Sequence, residues 1–370
     1  MAGTSRASAS GSRRPCGTAG AGARVGCLAV PATGERPSEP LSPTLRIAFG
    51  PVRSRRLGWS LGINNVPSKT CSYSCVYCQV GETDRARDER EAFFAPDEVV
   101  AAVRARLAEC RATGQPVDYA TFVPDGEPTL DRNLGEALRR VAALGVKVAV
   151  LTNGSLLWRD DVRAELAPAD WVSLKVDSVD EPIWRRLNRP IGRLRLAAVL
   201  DGMRRFAAEY RGDLATETML VAGLNDDEVS TRATAAFVSV LEPRRAYIAI
   251  PTRPPAEAWV RAPSPAVAGR AAEIFREYEL PTSCLVDEIE EGDECEGPFA
   301  VGGDPTRGLL EILAVHPLTE SAARDYLDRS GADWSVARAL LDSGQVVTVR
   351  HRQRTFLRRS IRIAPMEVSR

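Results

Sequence analysis

The sequence predicts an α/β protein, a partial parallel barrel of six strand–helix units followed by a small helical module with a two-stranded wing. Three observations predict it. Between residues 58 and 286, short apolar runs alternate with segments whose apolar residues recur every three or four positions. Three cysteines, Cys71, Cys75 and Cys78, follow the first of these runs directly. Beyond an acidic run, the chain reads as three helices and a basic hairpin.

Residues 1–43 are rich in Ala, Gly, Ser, Pro and Arg, the composition of a disordered tail. Arg13-Arg14 and "RVGC" carry marks of an export or lipid-attachment signal. The apolar core such a signal needs is here mostly Gly and Ala and is interrupted by Arg24, so a mobile tail or an overlong start is expected. The core, 44–286, offers six strands: "WSLGINNV" (59–66), "YATFVPD" (119–125), "VKVAVLT" (146–152), "WVSLKVD" (171–177), "ATETMLV" (215–221) and "RAYIAIP" (245–251). Helical patterns such as "PDEVVAAVRARLAECRA", "RNLGEALRRVAALG" and "EVSTRATAAFVSVL" separate them. Pro96-Asp97-Glu98 opens the first of these helices, and Gly145 stops the second. Strand–helix alternation implies right-handed crossovers, a parallel (βα)6 arrangement, and ligand binding at the C-terminal ends of the strands. An acidic linker, 287–306, leads to residues 307–362. There Thr319 and Asp333 suit helix N-caps, Gly344 suits a stop, and "QVVTVRHRQRTFLRR" suits a wing, which makes a winged-helix-like domain ahead of a tail at 363–370.

Composition bounds the function. The 49 basic side chains match 49 acidic ones, so net charge draws the chain to neither nucleic acid nor membrane. No run approaches the roughly 20 apolar residues of a membrane span. Eight cysteines lack the density of a secreted disulfide scaffold, which favours a reducing, cytoplasmic compartment. From 344 to 370, however, seven arginines face one acid, Glu367, a local surplus suited to phosphates, although such modules also bind peptides or dock on their own enzyme.

Three thiolates in eight positions match neither disulfides, which pair in twos, nor a structural zinc site, which closes with four ligands. Only two histidines exist, His316 and His351, both far away in sequence. Cysteine ligands at the C-terminal rim of a parallel sheet suit an iron–sulfur cluster, and three of them leave one iron open to a small molecule. A second signal is the fourth strand. Ser173, Lys175 and Asp177 share the face opposite Leu174 and Val176, so three polar side chains point into the barrel. Such burial is unfavourable unless they meet a ligand or each other, as in a self-satisfied Lys175–Asp177 pair. The chain has only three lysines, Lys69, Lys147 and Lys175, and positions that keep lysine amid arginine need a compact ammonium or a titratable amine.

The C-x3-C-x2-C spacing, with Tyr77 before the last cysteine, resembles the signature of radical S-adenosylmethionine (radical SAM) enzymes. "PDGEPTL" resembles their Gly-Glu-Pro motif, here Gly126, Glu127 and Pro128, and Asn153 in "LTNGS" ends the third strand. The stretch "FGPVRSRRLGWSLGINNVPSKTCSYSCVYCQVG", with "TMLVAGLND" and "YIAIPTRPP", resembles a branch of uncharacterised members related to wyosine tRNA-modification enzymes. The resemblance spans residues 46 to 300. It implies a 4Fe-4S cluster on Cys71, Cys75 and Cys78, and S-adenosylmethionine cleaved reductively to a 5′-deoxyadenosyl radical. Tyr77, Gly126, Glu127, Pro128, Asn153 and Ser173 are then candidates for cofactor binding, and Lys175 and Asp177 for catalysis. A reductant such as flavodoxin or ferredoxin is an implied partner. The wyosine synthases carry a second cluster on three cysteines upstream, where this chain has only Cys16 and Cys27. The substrate is expected among tRNA or other nucleic acid, peptide and metabolite. The rival reading is a non-catalytic iron–sulfur redox sensor that binds nucleic acid.

Overall fold

A computed structural model describes residues 47–285 and 304–360. Most of the expected N-terminal tail with Cys16 and Cys27, most of the acidic linker, and the C-terminal tail lie outside the described residues. β1 (Ala48–Ser54) and β2 (Gly58–Ile63) form an antiparallel pair. The short strands β3 (Thr70–Cys71) and β4 (Arg85–Ala86) bracket the cysteine loop. Then come α1 (Pro96–Ala112), β5 (Tyr119–Phe122), a 3-10 turn (Pro128–Leu130), α2 (Leu134–Ala142), β6 (Lys147–Thr152), α3 (Asp160–Leu166) and β7 (Trp171–Lys175). α4 (Glu181–Leu187), α5 (Leu196–Glu209), β8 (Asp213–Met219), α6 (Glu228–Val240), β9 (Arg245–Ala249), α7 (Pro265–Glu277) and β10 (Thr282–Cys284) follow. The C-terminal module comprises α8 (Pro305–Val315), β11 (Leu318–Thr319), α9 (Glu320–Arg329), α10 (Ser335–Asp342), β12 (Val346–His351) and β13 (Arg354–Arg359).

The main sheet runs β1-β2-β5-β6-β7-β8-β9-β10, parallel throughout except for β1 on β2. The six strands read from the sequence form its centre, and the structure adds one strand at each edge. β1 escaped the pattern because Gly50-Pro51 interrupts it. An edge strand tolerates that proline, and the pairing with β2 shifts register between Phe49 and Val52. β10 is too short for alternation to register.

Alternation along the strands divides the sheet into two unlike faces. Leu61, Phe122, Val150, Val172, Leu174, Leu214 and Ile248 join Val103, Leu138, Phe206, Val238 and Phe275 of the helices in one continuous core. The opposite residues Ala149, Trp171, Ala215, Tyr247 and Ala249 form only a small cluster with Leu57 and Leu285. Helices therefore cover one face, consistent with the predicted partial barrel, and the other face is inner. Asp180, Asp227 and Ser264 cap α4, α6 and α7 by accepting from the amides of Ile183, Ser230 and Val267.

In the C-terminal module, β11-β13-β12 form an antiparallel sheet around Leu309, Leu313, Leu318, Leu327, Leu340 and Leu357, and Val52 of β1 packs against this core. Thr319 caps α9, as expected, and Asp333 accepts from the Ser335 amide at 2.7 Å at the start of α10. α8 starts shortly before the expected boundary, because Asp304 accepts from the Thr306 amide and Pro305 suits the first helical position. Arg253, just beyond β9, meets the His316 ring at 2.5 Å and donates to Gln79 in the cysteine loop at 3.1 Å, so the module rests at the C-terminal edge of the main sheet.

Leu174 is fully buried against the helices. Leu174→Ala is expected to cost about 2–5 kcal/mol and to lower the melting temperature without changing the helical content of the remaining folded fraction. A melting temperature equal to wild type would show that this face is not the helix-packed one.

Candidate active site

The cysteine loop has no regular structure of its own beyond β3, so its backbone groups take partners from neighbouring segments. The amides of Ser74 and Val76 donate to the carbonyls of Asn188 and Leu187 at 3.0 Å, and the Ile191 amide donates to Ser72 at 2.9 Å. Tyr73 meets Trp184 of α4 edge to face at 5.7 Å, and the Trp184 indole N–H donates to the Tyr73 hydroxyl. Thus the segment from α4 to Ile191 fastens one side of the loop. On the other side, the Lys69 amide donates to the Asp125 carbonyl at 2.8 Å and the Glu127 amide to the Thr70 carbonyl at 3.0 Å.

That second contact explains Gly126. A Cβ at this position would lie 2.0 Å from the Thr70 carbonyl oxygen, so only glycine permits the approach. Glu127 is 1% exposed, and its carboxylate is used within the chain. One oxygen accepts from the Thr129 amide and hydroxyl and from the Thr152 hydroxyl at 2.5 Å, and the other from the Asn153 amide at 2.8 Å. Burial pushes this carboxyl above its ordinary value, and these donors pull it back. Glu127 therefore ties the turn after β5 to the end of β6. Pro128 opens the 3-10 turn, and its carbonyl accepts from the Asn65 amide group at 3.0 Å.

Two side-chain amides aim at sulfur. Asn153 Nδ2 lies 3.7 Å from Cys71 Sγ and 2.9 Å from Ser72 Oγ, and Asn188 Nδ2 lies 3.4 Å from Cys75 Sγ. Burial raises all three thiols, Cys75 to about 12, with Asp177 adding to the effect there. Such thiols stay protonated at neutral pH unless a cationic metal group takes them as thiolates. Among the described residues, no three His, Cys, Asp or Glu side chains gather as a single metal ion requires. The donor chemistry, three cysteines with amide N–H groups directed at two of the sulfurs, is that of an iron–sulfur cluster.

The inner face holds the remaining candidates. Ser173, 4% exposed, sits between Leu151 and Ala215 in register. Lys175 does not pair with Asp177. Its ammonium bonds Glu217 Oε1, directly opposite on β8, and lies 5.0 Å from the Tyr77 ring centroid. Glu217 Oε2 in turn meets Arg56 at 2.6 Å. Burial alone would lift the Glu217 carboxyl, but Arg56 and Lys175 override it and hold it at about 2. Burial would likewise lower Lys175, yet Glu217 and Asp177 carry it above its ordinary value. Asp177, 3% exposed, accepts from the Tyr77 hydroxyl, from Asn188 Nδ2 at 2.7 Å and from the Met219 amide at 2.8 Å. Burial raises its pKa first, and the Lys175 charge, followed by these partners, opposes the rise.

The structure thus links Cys71 to Glu127 through Asn153, links Cys75 to Tyr77 and Asp177 through Asn188, holds Cys78 to Cys75 by a backbone bond of 3.0 Å, and sets Lys175 beside Tyr77. Sequence reading missed Asn188 and Glu217. Arg56 belongs to "RSRR" (53–56), which reads as either a substrate-phosphate patch or a solvated turn, and the structure pairs it with Glu217. Glu217 had a signal, an acid on the same strand face as Ala215 and Met219. Asn188, at the end of α4, had none.

The family model described as the Radical SAM superfamily matches residues 65–234, from the segment before the cysteines into α6. Over 325 residues the chain is 38% identical to a UPF0026 protein of Methanocaldococcus jannaschii, covering 88% of this chain and 99% of that protein. A crystal structure of a radical SAM methyltransferase from Sphaerobacter thermophilus is similar at 18% identity, 61% coverage of this chain and 66% of that chain, with a TM-score of 0.47. A TYW1 structure with a lysine–pyruvate adduct covers 81% of this chain and 79% of that chain at 13% identity and a TM-score of 0.39. The chain belongs to the UPF0026 family of the radical SAM superfamily.

Gly126→Ala is expected to push the turn off Thr70, at about 1–3 kcal/mol, and to lower the iron bound after anaerobic reconstitution. Wild-type melting temperature and iron content would contradict the close approach.

Glu217 gives a pH prediction. Its folded value of about 2 lies below its ordinary 4.5, so the native state binds fewer protons across that interval. Its contribution is present above about pH 4.5 and is lost as pH falls through about 2. Urea melts should therefore show a steeper acid loss of stability in wild type than in Glu217→Gln, and equal slopes would refute the pairing. Lys175→Met leaves Glu217 with Arg56, so it should cost less than the about 3–5 kcal/mol of a buried pair broken on one side.

Proposed function

We propose that this protein is a radical SAM enzyme whose Cys71, Cys75 and Cys78 hold a 4Fe-4S cluster and whose neighbouring turn binds S-adenosylmethionine. When bound, cluster and cofactor supply the reductive cleavage that yields a 5′-deoxyadenosyl radical for modifying a substrate. The observation that carries this reading is the convergence of Gly126, Glu127 and Asn153 on the cysteine loop. A redox sensor needs the cysteines but not this cradle.

The chain's own residues divide the work. Asn153 and Asn188 direct N–H groups at cysteine sulfur, which tunes a cluster's reduction potential. With Glu127 spent on holding two loops together, the backbone of the Gly-Glu-Pro turn is left to meet the methionine ammonium. Tyr77 and Ser173 border the space above the inner face. Lys175 and Asp177 are the catalytic candidates, each held in place by a partner, Glu217 and Asn188 respectively. The module beyond the acidic linker is a winged-helix-like domain in its order of helices and strands. A small reductant protein such as flavodoxin or ferredoxin would supply electrons. The substrate class stays open between nucleic acid, peptide and metabolite. Among the described residues, no helix is long and apolar enough to cross a membrane, and we place the enzyme in the cytoplasm.

Anaerobically reconstituted protein should bind four irons and, with a strong reductant, release 5′-deoxyadenosine from S-adenosylmethionine. Cys71→Ala, Cys75→Ala and Cys78→Ala should each abolish the cluster. Full iron in any one of them would remove the ligand assignment. A fully reduced cluster that never releases 5′-deoxyadenosine would favour the sensor.

A further inference from the structure

Among the buried polar atoms with no hydrogen-bond partner in the described residues, Lys69 Nζ, Asp125 Oδ1 and Arg358 Nε come from three separate segments. Lys69 precedes β3, Asp125 lies in the turn after β5, and Arg358 lies on β13 of the C-terminal module. Lys69 is 5% exposed. Its backbone sits in the left-handed region at φ 63°, fixed by its own amide on the Asp125 carbonyl and by the Arg85 amide on its carbonyl at 3.0 Å. The side chain is thus directed inward by a rigid backbone. Electrostatics places the other groups nearby. Cys78, Asp125, Asp84 and Arg358 all act on Lys69, and Lys69 and Arg359 act on Asp125. Asp84 is exposed, so water screens it, and one Asp125 oxygen is already used by Ser68 at 3.0 Å. Lys69, Arg358 and Arg359 thus face one buried carboxylate and the Cys78 sulfur, and leaving such donors unpaired is strongly unfavourable.

We propose that the seam between the main sheet and the C-terminal module is a binding site for a terminal oxyanion of the substrate, phosphate or carboxylate, contacted by Lys69 and Arg358. Asp125 accepts from a hydroxyl or N–H beside that oxyanion. The site's enclosure selects a terminal group over the internal phosphodiester of a polymer. A compact ammonium beside a guanidinium suits it, in a chain where three of the 49 basic side chains are lysine. The C-terminal sheet then supplies part of the substrate site. The proposal rests on the reading of the cysteine loop as the reaction centre.

The test is calorimetric titration of the full-length, anaerobically reconstituted protein with inorganic phosphate and with malonate at constant ionic strength. One probe should bind saturably, and the tighter one names the oxyanion. Arg358→Gln and Lys69→Met should each weaken it roughly tenfold or more, while Arg350→Gln, on the exposed part of β12, should not. Arg358 is remote in sequence from the cysteines, so its variant stays readable if Lys69→Met fails to load iron. Binding of neither probe, equal binding by all variants, displacement by S-adenosylmethionine, or loss of binding on cluster loading would each overturn the site. Iron content and 5′-deoxyadenosine release, measured in parallel, report separately on the reaction reading.

Discussion

Everything around the site depends on one constraint: an irregular, buried loop must find partners for its backbone in other segments. Between Lys69 and Arg87 the cysteine loop forms little structure of its own. The amides of Arg85 and Arg87 fold back onto the carbonyls of Lys69 and Cys71 at 3.0 Å, closing it at its base. Further groups are met by residues 187–191 on one side, by the turn at 125–127 on the other, by the Glu257 amide on the Val76 carbonyl, and by Thr83 within the loop. The turn at 125–127 follows β5, and residues 187–191 follow α4, the helix after β7, so the sheet and that helix set where the cysteines stand. Gly126 and Asn188 matter because a side chain at one and a shorter one at the other would open the lacing.

A second consequence concerns charge. The inner face places Arg56, Lys175 and Glu217 in one chain of ion pairs, and Tyr77, Asp177 and Asn188 in a separate hydrogen-bonded group. The two meet where the Lys175 ammonium lies over the Tyr77 ring. Burying so many ionisable groups is tolerable only when each is satisfied. Lys175 stays charged because Glu217 is held ionised by two cations, and Asp177 keeps its place through neutral donors. Lys175 at the end of β7 is thus a fixed cation whose charge also opposes the rise that burial imposes on Asp177, two residues beyond the strand.

This division marks how far the sequence could be read. The six central strands were legible because a strand alternates its faces every residue, and the cysteine motif was legible because its spacing is local. Lys175 and Asp177 were read as candidate partners because they share a face two residues apart. Along a strand that separation is roughly 7 Å, whereas a neighbouring strand lies about 4.8 Å away. The register partner of Lys175 is Glu217, 42 residues later, and only the fold could bring it there. Asn188 was hidden for the same reason, since its acceptors, Cys75 and Tyr77 on one side and Asp177 on the other, come from different loops. The edge strands failed differently, one through Gly50-Pro51 and the other through brevity.

The seat of the C-terminal module bears on its arginines. Read as sequence, seven arginines against one acid after Gly344 form a basic strip free to meet phosphate. In the fold, these arginines divide. Arg358 and Arg359 act on Lys69 and Asp125, at the C-terminal edge of the main sheet, while Arg350 and Arg352 on and beside β12 remain exposed. Leu357 between them is fully buried in the module's own core, so β13 serves the module with one residue and the main sheet with its neighbours. A strand shared in this way ties the module's position to the chemistry at the sheet edge. Any partner drawn to the exposed arginines would therefore act on a surface one strand away from the cysteine loop.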